Sequence, residues 1–154
     1  MTVSDMHMLL LRAYLDGEDE VASKAREQLT GPNAMDGLAV LVHAAFVVAV
    51  QRKFCPTWSS TQIIRFVAYV RSLLSDRLEL LDPLAGELEL RRALGESIPA
   101  PPDIGARAAA QLILLDAVVQ SLGLDDEAIW DLLHQARDNV QRHGDAVCRR
   151  LLKL

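Results

Sequence analysis

Thirteen consecutive residues, Leu38 to Val50, contain a single polar side chain, His43, and run directly into Gln51-Arg52-Lys53. A stretch apolar on every face, ended by cations that suit the negative pole of a helix dipole, predicts a buried helix over about 34–53. A helix buried all round needs other helices around it. The rest of the chain supplies them, because its apolar residues recur mainly at three-and-four spacing.

The boundaries of those helices are marked by capping residues. Ser4 predicts a first helix reaching about Leu15, with Val3 and Met8 at the two positions of a hydrophobic staple and Gly17 as the stop. Glu18-Asp19-Glu20 opens a second, whose narrow apolar stripe of Val21, Ala25 and Leu29 predicts a surface position. Gly31-Pro32 breaks it, and Asn33 is expected to cap the central helix. Ser59 and Gln62 form a capping box, with Trp58 and Ile63 at staple positions. Helix four is then expected from Ser60 to about Leu81. Its apolar face holds Ile63, Phe66, Val67, Val70, Leu74 and Leu81, and its polar face Arg65, Tyr69, Ser72, Asp76 and Glu79.

Asp82-Pro83 predicts the start of a fifth helix, which Gly95 closes. Residues 96–103, with Pro99, Pro101 and Pro102, read as an extended, semi-rigid linker. A sixth helix follows from about Ile104 to Leu122 and a seventh from Asp126 to about His143. Gly144 and Asp145 then lead into a short tail made basic by Arg149, Arg150 and Lys153. The expectation is one all-α domain over 1–154, an orthogonal or up-down bundle of seven to eight helices. Segment 104–154 should fold back on 1–95.

Composition agrees with a helical core. The chain has 154 residues, 51% hydrophobic, 24% charged and only 5% aromatic, so aliphatic side chains must fill the interior. A domain of this size buries roughly 68–70% of the surface its unfolded chain exposes, which needs no disulfide or metal staple. Cys55 and Cys148 form no metal-binding spacing. They read as reduced thiols of a cytoplasmic protein, and thirteen arginines against three lysines suggest a GC-rich bacterial genome. Membrane spans need about 20 apolar residues, so the run at Leu38–Val50 is expected to be core.

Candidate chemistry is sparse, and the chain is expected to be non-enzymatic with no cofactor and no metal. His43 and Asp116 are the polar residues set within strongly apolar helices. A buried carboxylate must be paired or shift its pKa, so a polar pocket joining His43 and Asp116 is one reading. The other places Asp116 at the bundle rim near Gln120, with His43 bonded to the backbone. Asp131, His134 and Asp138 share a face of helix seven, but no second carboxylate–histidine pair stands elsewhere to complete a metal site, so they read as a solvated face. Cys55, Ser59 and Ser60 have no adjacent base.

The central helix, the short turn and helix four resemble a helix-turn-helix, with Ser60, Thr61, Gln62 and Arg65 leading the second helix. A DNA-associated regulator is therefore one alternative. The net charge of −5 disfavours a nucleic-acid partner, since DNA affinity rests on cations neutralising phosphates. The primary expectation is a protein–protein interaction or regulatory module that presents Trp58, Arg65, Tyr69, Asp76 and Trp130, since tryptophan, tyrosine and arginine are enriched at interface anchors. Its partner is an unknown protein or a second copy, with no membrane. The remaining alternative, a small-molecule or metal-binding bundle around His43 and Asp116, requires a cavity.

Overall fold

The structure, a computed structural model, describes residues 2–152, with side chains through residue 144. Cys148, Arg149, Arg150 and Lys153 therefore fall outside the described side chains. The chain is 76% helical and, among the described residues, has no strand. The order is α1 (Asp5–Leu15), α2 (Asp19–Gln28), α3 (Ala34–Phe54), α4 (Ser60–Leu73), a 3-10 turn (Leu78–Leu80), α5 (Pro83–Ala93), α6 (Ile104–Leu122) and α7 (Asp126–Leu152).

Helix α3 is the axis of the bundle. It packs most extensively on α6 and α7 and also meets α1 and α5, while α2 leans on α1 and α4 on α5. Its Leu41, Ala45, Ala49 and Val50 are fully buried, and Phe46 nearly so. Helices α3 and α6 are both long and apolar enough to cross a membrane, and in this fold they pack against each other. The helices after the proline segment thus complete the core around α3.

Local chemistry sets most starts. The Ser4 hydroxyl accepts from the His7 amide, and Nδ1 of His7 accepts from the Ser4 amide, a reciprocal cap that uses histidine at the third helical position. The other ring nitrogen of His7 bonds the Ala34 carbonyl at 2.7 Å, which ties α1 to the start of α3. Gly37 makes this approach possible, because a Cβ there would lie 2.7 Å from the His7 ring. Ser59 and Gln62 cap each other as expected; Asp82 and Asp103 accept from Ala85 and Ala106.

Three expectations are corrected. Asn33 stands at the start of α3 but makes no side-chain cap. Helix α4 stops at Leu73 instead of running to Leu81: Ser75 takes a left-handed conformation (φ 52°), and the chain turns back. Nε of Arg71 donates to the Leu81 carbonyl at 2.9 Å, and Leu81 is buried over Gly86 and Val67. Tertiary burial of Leu81 therefore wins over continuation of the helix. Finally, α7 passes through the expected break with a kink at His143 (φ −130°, ψ 31°) and continues to Leu152.

Segment 96–103 is secured at several points. The Glu96 amide bonds the Arg91 carbonyl and the Gly95 amide bonds that of Arg92, closing α5 in a Schellman-type turn with Gly95 at φ 101°. Arg92 then donates through Nε to the Ile98 carbonyl and through Nη2 to the Pro99 carbonyl, at 3.1 and 2.7 Å.

Candidate functional site

Beneath that strap lies a cleft of about 680 Å³ between α3, α5 and the N-terminal part of α6. Its polar lining includes His43, Gln51, Glu89, Arg92 and Arg107; Phe46, Val47, Ala93, Ile98 and Pro99 give it apolar walls. Helix geometry explains the polar side. Glu89 shares the inward face of α5 with the buried Gly86, Leu90 and Ala93. On α6, Arg107 and Gln111 continue, at four-residue spacing, the stripe that Leu114, Leu115 and Val118 bury.

Glu89 is the hub. Its Oε1 accepts from Nε of Arg107 at 2.8 Å and from Nη1 of Arg92 at 3.0 Å. Its Oε2 accepts from Nε2 of Gln111 at 3.0 Å and from Nη2 of Arg107 at 3.4 Å. Glu89 and Arg107 are each 4% exposed and Gln111 is fully buried, so these are interior charges held by one another. Burial pulls the Arg92 guanidinium below its usual range; Glu89 opposes that shift and Arg107 adds to it.

The hub also orients His43. Gln111 must turn its NH2 toward the Glu89 carboxylate, since its carbonyl oxygen there would be repelled. The same NH2 faces Nδ1 of His43 at 3.2 Å, which holds the ring toward α6. Gln111 Oε1 is left buried with no hydrogen-bond partner. Gln51 adds a bond from its Nε2 to the Ala93 carbonyl, fixing α3 to the end of α5.

Asp116 is not in this cluster. It lies five residues beyond Gln111, about 140° around the helix at 100° per residue, and so faces α1. There it is half-buried; burial raises its pKa, and a hydrogen bond from Gln120 partly offsets the rise. Tyr14 across from it is pushed up by its own burial first and by the Asp116 charge second. His43 and Asp116 thus belong to different places, joined respectively to Gln111 and Gln120.

The expected interface residues are dispersed. Trp58 is half-buried against the core at the start of α4. Trp130 lies beneath Arg12, whose guanidinium sits 5.6 Å from the indole centroid while bonding Asp16, Glu18 and Asp126. Arg65 and Tyr69 are exposed on α4, whereas Asp76 is off the helix because α4 ends early. The side chain of Gln62 is folded back on the Ser59 amide, so the start of α4 spends it on capping. Asp131, His134 and Asp138 are exposed, and Nδ1 of His134 bonds the Trp130 carbonyl. Among the described residues, no three histidine, cysteine or acidic side chains are grouped to hold a metal.

Glu89, Arg92, Arg107 and Gln111 escaped the sequence reading. The available signal was the α6 stripe: extended back from Leu114, it lands on two polar residues at core positions. No protein-family model, no curated protein and no solved structure matches this chain.

Proposed function

We propose that the protein is a ligand-binding helical module whose small-molecule site is the cleft at His43, Arg92 and Arg107. One observation carries the reading: a cleft of about 680 Å³, within the range of small-molecule sites, is walled by a buried, mutually bonded set of ionic side chains. Ion networks of this kind contribute little net stability compared with apolar packing, so their placement at a cleft favours a role in recognition. Binding is favoured over catalysis because Glu89 already accepts four hydrogen bonds and has no capacity left to take a proton from a substrate. A bacterial cytoplasm is the setting proposed, on the arginine bias and the exposed Cys55 thiol.

Native mass spectrometry of the gently purified protein tests this reading. A small organic mass should accompany the wild type and be lost in Val47→Trp, which fills the cleft. Wild type that arrives bare and gains no mass from a chemically mixed metabolite library rejects it.

A second reading, an interaction surface, is favoured by a different observation. Among the described residues, six of the eight large exposed apolar side chains fall within 64–84: Ile64, Tyr69, Leu73, Leu78, Leu80 and Leu84. The occupant proposed is a second copy, since a twofold contact lets exposed apolar side chains of this segment cover their equals. Sedimentation equilibrium should then show a dimer that Leu73→Asp with Leu84→Asp converts to monomer. A wild type that stays monomeric at its highest soluble concentration removes this reading.

A further inference from the structure

We propose that the cleft recognises a small organic carboxylate, with the ligand's anionic end on the Arg92 guanidinium and its apolar end between Val47 and Ile98. The inference rests on the cleft being a ligand site and adds the chemical class.

Charge is the first argument. In the Arg92–Glu89–Arg107 trio two guanidiniums share one carboxylate, so the trio carries one positive charge beyond what its own carboxylate neutralises. Glu96, the other acid of the lining, is engaged by Nε and Nη2 of Arg91, whose Nη1 also reaches Glu87. A buried cation that shares its counter-ion gains from a second anion.

Donor capacity is the second. Arg92 has five N–H groups, and three are engaged: with Glu89, the Ile98 carbonyl and the Pro99 carbonyl. Two N–H groups remain on a side chain that lines the cleft and is only 13% exposed. A planar carboxylate matches a guanidinium edge, and its charge makes the bond stronger than those to neutral carbonyls.

The same features disfavour other ligand classes. A cationic ligand finds both oxygens of Glu89 already occupied. A phosphate dianion exceeds the trio's single surplus charge and would leave the apolar side chains of Val47 and Ile98 unfilled. A monoanion with a hydrocarbon body satisfies both sides.

Titrations of isotopically labelled protein with sodium hexanoate, hexylamine, hexan-1-ol and inorganic phosphate test the assignment, read at the Arg92 Nε–H and at the Val47 and Ile98 amides. Hexanoate should shift these signals saturably, and the other three should bind at least about tenfold more weakly. Arg92→Gln should weaken hexanoate by about tenfold or more, and Arg92→Lys, which keeps the charge without the planar fork, should also weaken it. If Arg92→Gln fails to fold, Arg92→Lys carries the comparison. Hexylamine, hexanol or phosphate binding as tightly as hexanoate would overturn the carboxylate assignment and leave the ligand site standing. No saturable shift with any of the four overturns both.

Discussion

Glu89 shows how much a single side chain can organise: it joins α5 to two positions of α6 and, through Gln111, fixes the ring of His43 on α3. Glu89→Ala takes the shared carboxylate from two largely buried guanidiniums and should cost about 3–5 kcal/mol in urea unfolding. Adding Arg107→Met should recover a large part of that loss, because it removes a buried charge whose shared carboxylate is gone. Asp116 makes the opposite case, a carboxylate whose burial raises its pKa above the usual carboxylate range. In the window between the ordinary and the raised value, the native state holds the proton and the unfolded state does not. Stability is therefore lost as pH rises through that window. Asp116→Asn should raise Tm at neutral pH, with the gain fading in acid below the ordinary carboxylate range. A Tm gain that persists unchanged there would contradict this assignment. Residues such as His43 were visible in sequence because their neighbours are uniformly apolar. Glu89 was not, since Glu-Leu-Glu-Leu-Arg-Arg reads as ordinary amphipathic surface until the partners on α6 are placed.

At the level of the element, starts were legible, while the ends of α4 and α7 were not. Ser4, Ser59, Asp82 and Asp103 each act on the amide three residues ahead, so their signal is contained in the local sequence. The end of α4 depends on Arg71 reaching Leu81, ten residues on, and on a pocket for Leu81 over Gly86 that no local pattern reveals. Ser75 adopts a left-handed backbone at that end. Such a conformation costs a non-glycine residue roughly 1–2 kcal/mol, partly offset for glycine by its larger unfolded-state entropy. Ser75→Gly should thus leave stability equal or up to about 1 kcal/mol higher, and Ser75→Val should lower it. Equal midpoints for the two variants would show that the turn imposes no such constraint.

Across the whole molecule, the proline segment read as a semi-rigid linker, and the contacts show what surrounds it. Helix α3 is covered by α6 and α7 from beyond the strap, so the two sides of the chain bury one another. Trp58 lies before the strap and Trp130 after it. Single-tryptophan variants, Trp58→Phe and Trp130→Phe, should give coincident urea transitions if the bundle unfolds as one unit. Separate midpoints would mean two units. The all-α architecture followed from hydrophobic spacing and caps, whereas the cleft did not, because it is made by segments more than 60 residues apart, at His43 and Arg107.

The shared carboxylate also constrains descent. Because Arg92, Arg107 and Gln111 all lean on Glu89, a drift at any one of these positions alters the setting of the other three. Lineages carrying this fold should keep the quartet intact or exchange it as a set, passing through paired replacements instead of single steps. Positions 89, 92, 107 and 111 would then form one heritable character, spread over two helices and a polypeptide stretch of 23 residues.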